Sequence, residues 1–348
     1  MGKEKKIIVA GGAGYLGSHT VVELIEQGFE PVIIDNFSNS HPDSIKGIEA
    51  IVGRKIKVYE ADCRNRKKLF NIFSEEGDIY GVIHFAAYKS VEESSRFPLL
   101  YYDNNVGSLL AMLNMVERFE IENFVFSSSC AVYGSLKHFP VQESTVLGKA
   151  ESPYGMTKQV CEQIIEDFVE SNDSARAAAL RYFNPIGAHP SGSIGELSVN
   201  TPDNLVPYLT QTALNIQSEL TIHGGDYDTE DGTCVRDYIH VMDLAKAHVR
   251  ALGWMGQQAP KGLFECFNIG TGKGASVMEV VKTFESVSGL GLNYKVGPRR
   301  KGDIPTLYAA TEKARTILGW SAERTLREAL GDAWHWQLQL AETEVLAN

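Results

Sequence analysis

The chain has 348 residues, of which 43% are hydrophobic and 22% are charged, and its formal net charge is -11. This composition excludes a disordered or fibrous chain, and the excess of acidic residues disfavours binding to nucleic acid or to an anionic membrane surface. No apolar run approaches the ~20 residues of a membrane-spanning helix, and no signal-peptide cleavage pattern is recognisable, so we expect a soluble, cytoplasmic protein.

Short β-forming runs alternate with longer amphipathic stretches through the first half of the chain. The predicted strands cover residues 7–10, 31–35, 56–61, 82–87, 123–128 and 177–182, and the predicted helices cover 15–27, 43–51, 65–75, 101–119 and 154–170. This alternation is typical of parallel strands joined by helical crossovers. We therefore predict the α/β class, with a doubly wound, Rossmann-type parallel sheet of about seven strands.

The pattern changes after residue 184, because Gly, Pro and Asn become frequent through residues 185–204 and the later elements are shorter. We expect a first domain over residues 1–184 and a smaller mixed α/β lobe over residues 185–348. The two are interleaved near residues 237–270, where a helix and then a buried strand return to the first domain.

A glycine-rich loop follows the first predicted strand and opens the first helix. Gly11, Gly14 and Gly17 are spaced as GxxGxxG, which permits a tight turn and lets backbone N–H groups approach a pyrophosphate at the helix N-terminus. Asp35 ends the second strand, where a carboxylate accepts hydrogen bonds from an adenine ribose and repels the 2′-phosphate of NADP. The pattern predicts an NAD site. A glycine-rich strand-to-helix turn without a ligand is the alternative.

Two further segments lie at the ends of the next predicted strands. Asp62 lies after the third strand and residues 85–87 after the fourth, at the sheet edge where the cofactor is expected. For Asp62 a second interpretation, as the N-cap of the following helix, stays open.

The segment beginning at Ser152 places Tyr154 and Lys158 one helical turn apart on one face. A phenol acting as a base near neutrality needs its pKa lowered by about three units, or ~4 kcal/mol, and one cation about 5 Å away supplies on the order of 3 kcal/mol. Lys158 and a positively charged nicotinamide together would suffice. Ser129, after the fifth strand, offers a hydroxyl to the reacting oxygen, although a serine there can also simply end the strand.

The sequence resembles the UDP-galactose 4-epimerase family, within the extended short-chain dehydrogenases, over nearly its whole length. The matching segments are Gly11–Gly17, Asp35-Asn36, Phe85–Lys89, Asn104–Val106, Ser127–Ser129, Tyr154 with Lys158, Arg181–Pro185, Gly187–Gly192 and Glu230–Val241. The resemblance implies reversible C4 epimerisation of UDP-glucose and UDP-galactose through a transient 4-keto sugar, with tightly bound NAD. The first domain would then bind NAD, and the second lobe would mainly bind substrate.

The resemblance also assigns residues. It makes Tyr154 the base, Lys158 its electrostatic partner and Ser129 the positioning contact. For NAD it implies contacts from Gly11, Gly14, Tyr15, Leu16, Gly17, Asp35, Asn36, Asn39, Ser40, Asp62, Cys63, Phe85, Ala86, Ala87, Lys89, Asn104, Ser129, Tyr154, Lys158 and Tyr182. For the UDP-hexose it implies Lys89, Ser129, Tyr154, Tyr182, Asn184, Asn204, Leu205, Leu220, His223, Arg236, Arg300, Asp303 and Leu307.

Other chemistries fit the residues less well. Dehydratases of this group carry an Asp-Glu pair where this chain has Cys130 and Ala131, so the proton-transfer groups for loss of water are absent. A catalytically silent NAD-binding regulator and a free-standing sugar dehydrogenase stay open as alternatives. So does an epimerase that prefers UDP-N-acetylhexosamine, since Leu307 stands where the family carries either tyrosine or a small residue. His223 occupies a position near the uracil that is often aromatic.

The remaining expectations concern partners and redox state. The five cysteines show no CxxC spacing and are expected to be reduced thiols, and no His/Cys cluster has metal-ligand spacing. The helices near 101–119 and 154–170 are expected to pair across a two-fold axis in a homodimer, as in the family. Trp334 and Trp336 are expected to be core or interface residues.

Overall fold

A computed structural model describes residues 5–136, 138–197, 202–258, 262–300 and 303–347, with side chains described up to residue 342. The strands are β1 Lys5–Ala10, β2 Phe29–Asp35, β3 Lys57–Glu60, β4 Gly81–His84, β5 Asn123–Ser127, β6 Arg176–Tyr182, β7 Asn184–Ile186, β8 Leu220–His223, β9 Val235–Arg236, β10 Tyr238–His240, β11 Leu263–Ile269, β12 Ala275–Ser276, β13 Tyr294–Gly297 and β14 Thr306–Leu307.

The helices connect and cover these strands. They are α1 Tyr15–Glu26, α2 Asp43–Val52, α3 Arg66–Glu76, α4 Val91–Arg96, α5 Pro98–Tyr101, α6 Gly107–Arg118, α7 Pro153–Glu170, α8 Leu205–Ala213, α9 Val241–Met255, α10 Val277–Ser288 and α11 Leu326–Ala347. A 3₁₀ turn spans Cys130–Tyr133, and π-helical turns span Tyr102–Val106 and Ala314–Leu318.

The main sheet has seven parallel strands in the order β11-β6-β5-β4-β1-β2-β3. Its order reverses between β1 and β4, and doubly wound sheets bind their ligands at the carboxyl ends of the strands at such a point. The predicted Rossmann-type sheet of about seven strands is confirmed. It is the feature that brings the predicted cofactor residues to one edge.

Helices cover both faces of the sheet, so its inner strands are apolar on both sides. In β1, Ile8 packs into one apolar cluster, and Ile7 and Val9 pack into the opposite one, because successive strand side chains point to opposite faces. Two later elements return to this domain: β11 pairs with β6, and α9 packs against α1. A domain boundary at residue 184 stays a prediction.

The second lobe is built from small strand pairs and three helices. β8 pairs with β13, β7 with β10, and β9 lies between β12 and β14. Its apolar cluster includes Leu209, Phe284 and Leu330 from α8, α10 and α11. Trp334 packs edge-on against Phe284 in this cluster, which agrees with its expected place in the core.

The helix predicted over residues 101–119 differs in detail. The helical segment begins at Pro98, and a π-helical turn at 102–106 interrupts it before α6. The inserted residue changes the direction of the side chains that follow, and Asn105 there bonds both backbone groups of Tyr88. In the part of the chain that is described, no helix combines the length and apolar character needed to cross a membrane.

Candidate functional site

The glycine loop after β1 lies directly against the loop after β4. Gly11 has φ +78°, and a Cβ atom there would lie 2.7 Å from the backbone nitrogen of Ala86, so a side chain at this position is excluded on both grounds. Gly14 is the N-cap of α1 and offers no side-chain cap to the first-turn N–H groups. The loop therefore fits a pyrophosphate at the N-terminus of α1.

Asp35 ends β2 with its carboxylate held in place. It accepts hydrogen bonds from the backbone N–H of Ala13 at 3.0 Å, the N–H of Phe37 at 2.9 Å and the hydroxyl of Ser40 at 2.8 Å. These bonds keep the carboxylate beside the glycine loop. Tyr15 and Leu16 begin α1, and Asn36 and Asn39 lie exposed after β2.

Asp62 had two interpretations, as a cofactor contact and as the N-cap of α3. The N-cap of α3 is Asn65, whose side chain accepts from the N–H of Lys68 at 3.0 Å, so the N-cap interpretation of Asp62 is wrong. Asp62 instead binds the guanidinium of Arg64 at 2.7 Å, and hydrogen bonding to Arg64 holds the Asp62 pKa below its usual range. Its neighbour Cys63 is buried, and burial raises the pKa of this thiol to about 12.

The helix that carries the predicted base begins where the sequence specifies it. Pro153 is the first residue of α7, and the Ser152 hydroxyl caps it by accepting from the N–H of Gly155 at 3.1 Å. Tyr154 is buried in the first turn, and Lys158 is buried one turn later. The Lys158 ammonium lies 5.9 Å from the centre of the Tyr154 ring.

Ser129 and Tyr182 face the Tyr154 phenol. Burial raises the Tyr154 pKa well above its usual value, and hydrogen bonding from Ser129 opposes this rise. The Tyr182 hydroxyl hydrogen-bonds with the same phenol and accepts from the Ser127 hydroxyl at 3.3 Å. The expected lowering of the Tyr154 pKa is therefore not produced by the chain's own groups, because burial dominates. A further positive charge, such as an oxidised nicotinamide, is needed for the phenolate.

The predicted substrate cations converge on one carboxylate. Asp303 lies 3.1 Å from the guanidinium of Arg300 and 3.7 Å from that of Arg236. Arg236 is largely buried, whereas Arg300 is exposed. Two guanidinium groups with one intervening carboxylate keep a net positive charge, which suits a diphosphate.

The other predicted substrate residues lie at the ends of short elements of the second lobe. Asn184 begins β7, Asn204 and Leu205 begin α8, Leu220 and His223 begin and end β8, and Leu307 ends β14. Leu307 is buried and pairs in register with Arg236. His223 is exposed.

Glu196 is a residue of this site that the sequence did not indicate. One of its carboxylate oxygens lies 2.7 Å from the Lys89 ammonium and accepts from the Asn204 amide at 2.6 Å. Lys89 follows β4 and Asn204 immediately precedes α8, so this carboxylate links a predicted cofactor residue to a predicted substrate residue. No motif surrounds Glu196 that could have identified it.

A buried ion pair behind the site was also not predicted. The Glu162 carboxylate lies 2.6 Å from the Arg181 guanidinium and accepts from the Ser128 hydroxyl at 2.5 Å. Glu162 lies one turn after Lys158, and Ser128 and Arg181 immediately precede Ser129 and Tyr182. The network therefore holds three strand and helix segments that carry predicted site residues.

Comparisons with known proteins agree with this geometry. The profile of the NAD dependent epimerase/dehydratase family matches residues 7–270. A UDP-glucose 4-epimerase of Dictyostelium discoideum is 46% identical over 334 residues, covering 96% of each chain. The crystal structure of the Stenotrophomonas maltophila UDP-glucose 4-epimerase with NAD and formylated UDP-arabinopyranose is 41% identical, covers 98% of this chain and 100% of that one, and has a TM-score of 0.94. The Bifidobacterium longum enzyme with NAD⁺ and UDP is 41% identical, with 96% and 98% coverage and a TM-score of 0.91.

The chain belongs to the NAD dependent epimerase/dehydratase family. Within that family, the relatives above are UDP-glucose 4-epimerases that match it over almost their full length. The predicted resemblance and the predicted NAD-dependent epimerase are confirmed at this level. The individual site residues remain predictions.

Proposed function

We propose that the chain catalyses the reversible C4 epimerisation of UDP-glucose and UDP-galactose through a transient 4-keto sugar. The observation that supports this most strongly is the contact of Ser129, which follows β5, with the Tyr154 phenol, together with the Lys158 ammonium 5.9 Å from the Tyr154 ring centre and 2.6 Å from the backbone carbonyl of Ser127. NAD, when bound, supplies the hydride acceptor and donor for C4. The diphosphate of the substrate binds to Arg236 and Arg300.

Each catalytic residue has a separate role in this proposal. Tyr154 takes the proton of the C4 hydroxyl and returns it, and Ser129 donates a hydrogen bond that positions the same oxygen. Lys158 favours the phenolate electrostatically and binds the nicotinamide ribose. The positions of a dehydratase acid pair are occupied by Cys130 and Ala131, which do not supply a base to remove the C5 proton or an acid to protonate the departing C6 hydroxyl.

The choice of NAD over NADP is assigned to Asp35. Its carboxylate is fixed by three hydrogen bonds at the ribose position, and the following residues 36–38 contain no cation that would neutralise a 2′-phosphate. Protein freed of endogenous nucleotide is expected to rebind NAD more tightly than NADP. Tighter binding of NADP would contradict this assignment.

The decisive experiment is a coupled assay of UDP-galactose conversion with Tyr154→Phe as the test variant. Loss of a general acid–base group is expected to lower kcat by about 10²–10⁴-fold. Tyr80→Phe is the control, because Tyr80 lies at the opposite, amino-terminal edge of the sheet, where Lys5 lies over its ring. If wild-type protein with bound NAD converts no UDP-galactose, the chain is better explained as a catalytically silent NAD-binding regulator. Net production of NADH in every turnover would instead favour a free-standing sugar dehydrogenase.

We also propose that the chain forms a homodimer through the surface of α4, α5 and α6. Exposed large apolar side chains are scattered over the rest of the described chain, but several of them are close together in the sequence here. These are Val91, Phe97, Leu99, Leu100, Tyr102 and Leu110. α4 and α5 pack against α7, so the surface continues onto that helix. Leu99→Asp is expected to give monomers in sedimentation, whereas Val146→Asp, at an exposed valine elsewhere, leaves the oligomer intact. An unchanged Leu99→Asp oligomer would exclude this surface.

We place the enzyme in the cytoplasm. All five cysteines are unpaired thiols, as expected for a reducing compartment. Fractionation of cells that produce the protein would test the location.

A further inference from the structure

Asp237 is a fully buried carboxylate next to the substrate residues. Its Oδ1 accepts from the N–H of Thr271 at 2.8 Å and from the Thr271 hydroxyl at 2.6 Å. Its Oδ2 accepts from the N–H groups of Gly272 and Ala309, each at 3.1 Å. Burial raises the pKa of Asp237, and these bonds oppose that rise. A buried carboxylate requires such partners, so all four donors are held in place by one side chain.

The donors come from two parts of the fold. Thr271 and Gly272 follow β11, the edge strand of the main sheet, whereas Ala309 follows β14 in the second lobe. Asp237 itself lies between β9 and β10, and its backbone carbonyl accepts from the N–H of Asn184 at 2.9 Å. One residue thus joins the main sheet to two of the three small sheets of the second lobe, β7-β10 and β12-β9-β14.

The joined segments of the second lobe each carry a predicted substrate residue. Arg236 immediately precedes Asp237, Leu307 lies two residues before Ala309, and Arg236 and Leu307 are register partners in β9 and β14. The approach is close enough to restrict residue 270, because a Cβ atom at Gly270 would lie 2.5 Å from Oδ2 of Asp237 and 2.8 Å from Cβ of Ala309. The geometry leaves little freedom for these segments to shift independently.

We propose that Asp237 is a positioning residue for the UDP-sugar: it fixes Arg236, Asn184 and the Leu307 segment relative to the main sheet without touching the substrate. This inference rests on the proposed function and adds a residue to its substrate side. A change at Asp237 should therefore weaken binding of the uridine diphosphate part, while the NAD side, which lies on β1, β2 and β4, is left unchanged.

The test is the Asp237→Asn variant of the holoenzyme. Its side-chain amide has one oxygen acceptor in place of two, and its NH₂ group faces N–H or O–H donors that then lose their acceptor. The dissociation constant of UDP, measured by calorimetry, and KM for UDP-galactose are expected to rise on the order of tenfold, as for one unsatisfied buried polar group. We expect kcat to change much less and the bound NAD content to stay the same.

Asp243→Asn is the matched control for a purely structural effect. Asp243 is equally buried and accepts from the N–H groups of Glu323 and Arg324 at 3.0 and 2.8 Å, and neither residue is assigned to the substrate. This control is expected to lower Tm but to leave the UDP dissociation constant unchanged. Equal weakening of UDP binding by both variants would overturn the proposal, as would unchanged binding in Asp237→Asn.

A milder variant covers the case in which Asp237→Asn does not fold. Thr271→Val removes the hydroxyl donor and keeps the backbone N–H, so about a threefold rise in the UDP dissociation constant is expected. Unchanged binding in this variant overturns the proposal in that case.

UDP binding can be measured without turnover, which separates the inference from the proposed function. Wild-type protein that binds UDP without epimerising it contradicts only the proposed function. Wild-type protein that does not bind UDP contradicts both.

Discussion

The ammonium of Lys89 lies 2.7 Å from the carboxylate of Glu196, and the same carboxylate oxygen accepts from the amide of Asn204. Lys89 and Asn204 are both assigned to anionic ligands by the family resemblance. The carboxylate of Glu196 therefore occupies both donors. A diphosphate that uses the donors as the resemblance implies would compete with this carboxylate, so we expect Glu196 to oppose its binding.

Replacing Glu196 with glutamine is expected to tighten UDP binding. The variant loses the negative charge that competes with phosphate, and because the Lys89 ion pair is half exposed, the gain is at most ~1 kcal/mol, or about fivefold in the dissociation constant. Calorimetric titration with UDP at two salt concentrations measures the dissociation constants of the variant and the wild type. The difference between them should be smaller at high salt. Glu323→Gln, which breaks an exposed ion pair with Lys246, is the control. Weaker binding by Glu196→Gln would show that the carboxylate helps to hold the ligand.

The pH dependence of turnover is expected to follow the charge of Lys158. Burial lowers the Lys158 pKa to about 8, so the ammonium is present below that pH and is lost as the pH rises through it. Because the positive charge favours the Tyr154 phenolate, kcat/KM for UDP-galactose should fall as pH rises through about 8. A guanidinium stays charged there, so Lys158→Arg should move this fall to higher pH even if its maximal rate is low. If kcat/KM of Lys158→Arg falls at the same pH as in the wild type, the titration of another group causes the fall.

The sequence was sufficient for the parts of the fold that depend on local patterns. Short continuous apolar runs and glycine-rich turns specify β1, β2 and the loop between β1 and α1, and Ser152-Pro153 specifies the start of α7. Because parallel strands end at one edge, the sequence also placed Asp35, Ser129 and Tyr154 on the same side. These are consequences of short-range rules.

The sequence did not reveal contacts between distant residues. Lys89 and Glu196 are 107 residues apart, and the four donors to Asp237 come from segments that no spacing rule relates to it. Glu162 and Arg181 form an ion pair only because α7 packs on β6. The π-helical turn at 102–106 was missed because its residues fit an ordinary helix equally well.

The two arginines beside Asp303 are expected to contribute unequally to substrate binding. Arg236 is largely buried and Arg300 is exposed, so a fixed, desolvated guanidinium is available only from Arg236. Arg236→Lys keeps the charge but loses two-point binding, and KM for UDP-galactose should rise about tenfold, with a smaller rise for Arg300→Lys. Arg299→Lys is the control, because Arg299 binds Asp226 and lies over Tyr227. An equal effect at residue 299 would indicate a general electrostatic contribution.

Leu307 is expected to set the tolerance for a substituent at C2 of the sugar. It is buried in an apolar cluster that includes Tyr133 and Phe183, and it pairs in register with Arg236. Because it is apolar and intermediate in size, we predict weak to moderate activity on UDP-N-acetylglucosamine. Leu307→Tyr should lose most of that activity and keep activity on UDP-galactose, since the larger ring fills the space that an acetamido group needs. Overpacking costs about 1–3 kcal/mol, so Tm must be measured alongside. Wild-type activity on the N-acetylated sugar no higher than that of Leu307→Tyr would show that the C2 substituent is selected elsewhere.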